Sequence, residues 1–273
     1  MKFDLISYLM NPRHWWRPLL LILIISIAGV TMIGKQTYTD APPVASFVDI
    51  NGRVIFSKEQ IQLGQELFHK YSLMEYGSMF GDGAYRGPDF TAESLHMIER
   101  YMEEYYLSNE DIDPYSAAEL VKHQIKENYF DAVTNSIKLL PAQVYAAEQL
   151  INYYQAKSLP QSDTEPFNPL QKLKSAKELK SLVSFFYWGG WVCGTSRPGK
   201  NYSYTHNWPY DPAAGNTPSG AVILWTLIGS FALILVLGIV LFFYGRMDKL
   251  DDKVYVKNTT PFMSHHGVLK YTP

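Results

Sequence analysis

Apolar residues are concentrated in two uninterrupted runs, Pro18 to Gly34 and Gly220 to Gly245; between them lies a long polar stretch with apolar positions three and four apart. With Trp15 and Trp16 included, the first run just covers a bilayer core of roughly 30 Å, and Lys35 closes its far end. The second carries no charge and crosses comfortably even when tilted. A cleaved secretory signal also fits the first run, which is short, follows a basic segment and precedes Ala45 and Ser46. The paired tryptophans, read as an interfacial belt, and the long segment ahead of them favour a retained anchor. Lys2, Arg13 and Arg17 precede the first run, while Arg246, Lys249, Lys253 and Lys257 follow the second. The positive-inside rule then puts both termini in the cytoplasm and the central region outside it.

Within the central region, an extended linker from Thr37 to Val48 and a short strand or turn near Gly52 lead to Ser57-Lys58-Glu59-Gln60, which has capping-box spacing. A helix is predicted from Ser57 to Tyr71. Ile61, Leu67, Phe68 and Tyr71 form its apolar stripe, and Gly64 on the same face predicts a close helix crossing. The glycine-rich segment Gly77 to Pro88 reads as loop. Thr91 then caps a helix through Tyr106, Ser116 one through about Asn128, and Pro141 opens one through about Ala156. After a loop from Ser158 to Pro169, Leu173, Ala176, Leu179, Leu182, Val183 and Phe186 mark a long amphipathic helix ending near Gly189 and Gly190. Thr195 to Gly220 is turn-like and aromatic. No run of alternating strand residues stands out, so the fold class is all-α: two transmembrane helices flank an extracytoplasmic helical domain in the chain. The divisions are 1–36, a cytoplasmic N-terminus and first span; 37–219, the outer domain; 220–245, the second span; and 246–273, a cytoplasmic tail.

The formal net charge of −2 and the lack of a basic stripe exclude nucleic acid as a partner. Cys193 is the single cysteine, which rules out an intrachain disulfide or a site of paired thiolates.

The helix ending at Tyr71 and the following Gly81-Asp82-Gly83-Ala84-Tyr85-Arg86-Gly87-Pro88-Asp89-Phe90 resemble a c-type cytochrome whose haem-binding loop follows its first helix. More closely, they resemble the small cytochrome subunit of bacterial nitric oxide reductases and the equivalent N-terminal region of the single-chain, quinol-dependent enzymes. A second stretch is similar to the quinol-dependent enzymes just before their second helix: Phe185 to Trp191, then Arg197-Pro198-Gly199, then Tyr202 to Pro209. The resemblance covers nearly the whole chain in order.

The cytochrome form carries C-x-x-C-H just before the loop, because two thioethers and one axial imidazole fix the haem. The corresponding positions here are Leu73, Met74, Glu75, Tyr76 and Gly77. With Leu73 and Tyr76 in place of the cysteines and Gly77 in place of the histidine, covalent attachment by this motif is impossible, as in the quinol-dependent branch. The resemblance therefore implies a cytochrome c-like domain without haem, in the inner (cytoplasmic) membrane with its domain on the periplasmic side. It implies b-type haems and non-haem iron in further transmembrane helices, those of a multi-helix catalytic subunit or of a downstream part of the same enzyme, beyond Pro273. No catalytic residue is expected in this chain; reduction of two NO to nitrous oxide and water with electrons from quinol is completed elsewhere. The backbone carbonyl of Gly83 and the hydroxyl of Tyr85 are implied as ligands of a calcium ion between this domain and haem propionates, with the other ligands supplied by the partner. A turn glycine and a packed interface tyrosine are the plainer reading of the same two residues.

Other candidates carry less. His69, His96 and His123 are available for a non-covalent haem, although surface or core histidines explain them more simply, and His265 and His266 read as a solvated tail. Trp188, Trp191, Tyr202, Tyr204 and Trp208 read as an aromatic belt and packing surface near the membrane rather than a relay. Arg197 could pair with a propionate or carboxylate. A membrane-anchored electron-transfer subunit and a two-span extracytoplasmic sensor remain as alternatives; the sensor would need a separate signalling partner, because the tail is short.

Overall fold

The computed structural model describes residues 13, 16–159 and 168–259. Trp15, Lys2, His14, most of the Ser158–Pro169 loop, and the tail with His265 and His266 lie outside the described residues. The chain divides after Thr217 into two units. In the second, a helix covers Gly220–Thr259; its segment Gly220–Gly245 is long and apolar enough to cross a membrane and buries none of its side chains.

The first unit opens with α1, Trp16–Thr39, a second helix apolar enough to cross a membrane, again with no buried residue. It runs past Gly34 and through the start of the expected linker. The hydroxyls of Thr31, Thr37 and Thr39 each donate to the carbonyl four residues back, so polar side chains continue the helix instead of ending it. These two helices suggest a membrane protein.

A small sheet follows, of which the sequence pattern indicated only the short strand or turn near Gly52. It consists of β1 (Ser46–Val48), β2 (Val54–Phe56), β3 (Phe130–Asp131) and β4 (Ser136–Lys138), in the order β2-β1-β4-β3. β1 lies parallel to β4 and antiparallel to β2, while β3 and β4 form an antiparallel pair. Strands of two or three residues are too short to show a period of two. The domain remains mostly helical, and the sheet delivers Phe47 and Phe56, both fully buried, to its core.

The helices are α2 (Lys58–Lys70), α3 (Leu73–Tyr76), α4 (Phe90–Asn109), α5 (Pro114–Lys126), α6 (Pro141–Ser158) and α7 (Ala176–Gly194). Ser57 caps α2 with the full capping box: Gln60 N–H donates to the Ser57 hydroxyl, and Ser57 N–H donates to the Gln60 side chain. Two other caps differ from the sequence pattern. Asp89, not Thr91, caps α4, and Asp113, not Ser116, caps α5, because in each case an aspartate with extended backbone stands two or three residues earlier.

α7 is the central helix, packed on α2, α4 and α6. It continues through Gly189 and Gly190 to Gly194 rather than ending there. These glycines serve closeness: a Cβ on Gly189 would lie 2.6 Å from Thr91 Cγ2, and one on Gly190 3.2 Å from Leu95 N. Gly64 fulfils its predicted role, since a Cβ there would lie 2.1 Å from the carbonyl oxygen of Ser181 on α7. Of the predicted α7 stripe, Leu179, Leu182, Val183 and Phe186 are buried, whereas Ala176 is exposed and Leu173 precedes the helix.

Candidate functional site

The loop between α3 and α4 is built around one carboxylate. Asp89 Oδ2 accepts from Ser78 Oγ at 2.7 Å and from Gly81 N at 2.8 Å; Oδ1 accepts from Ala92 N at 2.8 Å and from the Thr91 hydroxyl. Ser78 Oγ in turn accepts from Gly83 N at 2.8 Å, and Thr91 Oγ1 from Phe80 N at 3.2 Å. A single buried aspartate thus caps a helix and fastens both limbs of the loop. Sequence reasoning missed it, although an Asp two residues before the chosen cap was the available signal.

Gly83 has φ +83°, a conformation that glycine adopts without strain, and a Cβ there would lie 3.2 Å from Asp89 N. Two residues on, within a turn in which Ala84 N donates to Gly87 O at 2.9 Å, Tyr85 is completely exposed. The structure therefore places Gly83 and Tyr85 on one projecting tip. Two oxygens fall well short of the six to eight that calcium takes, and Asp89 is committed to the loop. Among the described residues no group of three or more His, Cys, Asp or Glu is arranged to hold a metal ion. The donor chemistry fits part of a shared calcium sphere and no more.

The positions that the resemblance aligns with a haem-attachment motif lie just before this loop. Leu73 is fully buried in the core, and the Tyr76 ring lies 6.4 Å from that of Phe90. A Cβ on Gly77 would meet the carbonyl oxygen of Pro88 at 2.3 Å and the Phe90 ring at 2.8 Å. Phe90 stacks on Phe186 at 4.5 Å between centroids and 5° between planes, with Phe68 and Tyr154 against the same pair. A small pocket between Leu95, Ile98, Ile125 and Tyr187 measures about 20 Å³, room for one water. His69, His96 and His123 are exposed on three different helices, α2, α4 and α5. Neither the side chains at the attachment positions nor the histidines fit a haem held within this domain.

Beside the loop tip runs the segment that follows α7. Trp208, partly exposed, donates from Nε1 to Gly81 O at 3.4 Å, and Phe80 meets Trp188 edge to face at 6.0 Å. Trp188 also donates to Pro43 O at 3.0 Å. Trp191 departs from the expected aromatic surface: it is buried and packs edge-on against Phe47 at 6.0 Å. The segment is pinned from below by Lys126, whose ammonium donates to Asn207 Oδ1 at 3.1 Å and to Asn216 Oδ1. Burial pulls its pKa down to about 8. Asn216 in turn donates to the carbonyls of Cys193 and Pro209, both at 3.0 Å. Cys193 is itself buried, and that burial pushes its thiol up to about 12, so it is inert.

The family model for the cytochrome c-like domain of the NorB nitric oxide reductase family matches residues 44–210. The chain belongs to that family. The match spans the sheet, the helices α2 to α7, the Asp89 loop and the segment through Trp208, so the whole folded core described above is this domain. Membership marks the chain as part of a membrane nitric oxide reductase. A search of curated proteins returns no match to this chain.

Proposed function

We propose that this chain is the haem-free structural and docking part of a quinol-dependent nitric oxide reductase. The observation that carries the reading is a cytochrome c-like domain whose attachment positions hold a buried Leu73 and, against Phe90 instead of a macrocycle, Tyr76 and Gly77. In this reading the Gly77–Pro88 tip and the neighbouring Trp208 face a multi-helix haem-iron partner, or a downstream part of the same enzyme. That partner carries the b-type haems and non-haem iron, and there two NO and one quinol yield nitrous oxide, water and quinone. Gly83 and Tyr85 contribute oxygens to a calcium ion shared with it. The outer domain lies on the periplasmic side of the inner membrane with both termini in the cytoplasm.

Affinity purification of the full chain from native membranes tests the assignment. A haem-iron subunit should come with it, the NO-reducing activity should follow that complex, and the isolated chain should show no Soret absorbance. A stoichiometric haem spectrum on the isolated chain would overturn the reading.

A further inference from the structure

Arg197 and His206 line a second polar groove. Ile33, Gln36, Thr37 and Asp40 of the α1 end face them across this groove of about 470 Å³. Ile33, Gln36, Thr37 and Asp40 are spaced i, i+3, i+4 and i+7, so they share one side of the helix. The apolar run ends at Gly34. With that run in hydrocarbon, the groove stands at headgroup level, its lower lip apolar and its upper wall polar.

The guanidinium of Arg197 is held rather than free. Nη1 donates to Asp40 Oδ2 at 3.2 Å, Nη2 donates to Tyr204 O at 2.8 Å, and the group lies over the Tyr204 ring at 5.5 Å. Its Nε is buried with no partner, and so is Nδ1 of His206, whose ring stacks on Tyr202 at 4.4 Å. Both nitrogens belong to residues that line one groove, and a buried nitrogen without a partner is expensive, at about 1–3 kcal/mol each. A neighbouring groove, which shares Gln36, Asp40, Ala41 and Arg197 with the first, is lined in part by Lys200. Arg197 and Lys200 against Asp40 leave the site net positive. A planar guanidinium, a nearby ammonium and an imidazole at the bilayer surface are suited to a phosphate ester.

We propose that this groove binds the phosphate headgroup of an anionic phospholipid, with its oxyanion beside Arg197 and His206 and its acyl chains running down α1 past Ile33. The inference rests on α1 lying in a bilayer and is independent of the reductase assignment. Asp40 then acts as an internal competitor, occupying the guanidinium edge that the lipid would use.

The test is native mass spectrometry of the detergent-solubilised full chain, titrated with phosphatidylglycerol, phosphatidylcholine or inorganic phosphate. Phosphatidylglycerol should be retained about tenfold more tightly than phosphatidylcholine, and millimolar phosphate should not displace it. Arg197→Gln should abolish the preference, Lys200→Gln on the exposed rim should weaken it about threefold, and Asp40→Asn should strengthen it severalfold. The Asp40 variant separates binding from architecture, since loss of a purely structural bridge would not tighten lipid retention. Circular dichroism melting checks each variant; should Arg197→Gln unfold, the Lys200 and Asp40 variants decide the matter. Equal retention of both lipids, weaker retention in Asp40→Asn, or full displacement by inorganic phosphate would overturn the proposal.

Discussion

The interior around Phe186 and the loop around Asp89 meet at Phe90, and they hold their shapes by opposite means. On one side, Phe68, Phe90, Phe186 and Tyr154 interlock with helices brought together at Gly64, Gly189 and Gly190. On the other, the loop adds to the contacts of Met79 and Phe80 one carboxylate that receives four hydrogen bonds. Each region is held by its own kind of contact, so each should fail separately.

The sharpest separation comes from Phe186→Ala. Removing the ring at the centre of the stack should cost about 3–5 kcal/mol in thermal or denaturant unfolding and should loosen the whole domain, because a cavity opens where helices meet. Asp89→Ala should cost less, about 2 kcal/mol, as a lost cap and lost charge-assisted bonds. Its signature is local: limited proteolysis at Arg86 should accelerate well before global unfolding does. Comparable unfolding in the two variants would break the comparison.

A third test uses pH. Glu99 on α4 is buried, and that burial, with the charges of Glu103 and Asp211 adding to it, raises its pKa to about 7 against an ordinary value of 4.5. The folded state therefore holds the proton more tightly than the unfolded chain. Stability from this group is full below about pH 4.5 and is lost as pH rises through about 7. Glu99→Gln should remove that dependence and stabilise the protein at pH 8 by about 1–2 kcal/mol, after allowance for solvent screening. Melting curves of both proteins between pH 4 and 8 check it.

The smallest effect on the fold belongs to Tyr85→Phe. A fully exposed hydroxyl should change stability by less than about 0.5 kcal/mol. If Tyr85 shares a calcium ion with a catalytic partner, the same variant should reduce calcium-dependent retention of that partner on affinity resin. Intact retention would limit the docking site to the rest of the tip.

Much of this architecture was legible in the residues. The capping box at Ser57, the crossing at Gly64 and the two apolar runs each rest on local spacing, and each falls within a helix, although α1 extends past Gly34 and the last helix past Gly245. The glycine tip was readable as loop, and Gly83 does adopt the positive φ that glycine permits. What was not legible depended on distant partners. Gly189 and Gly190 read as a helix end because glycine is a poor helix former, but α4 requires bare backbone there. The sheet stayed hidden since β1 pairs with β4 across a long sequence separation. Trp191 looked like its aromatic neighbours until Phe47 placed it inside.

By itself, then, the sequence determined the start of α2, the two apolar helices and the lack of a C-x-x-C-H motif, because capping, hydropathy and side-chain chemistry act over a few residues. Only the tertiary structure decided what fills the interior, which carboxylate holds the loop, and that Arg197 and His206 share a groove with the end of α1. Those features are contacts between segments far apart in the chain, and local periodicity carries no record of which segments meet.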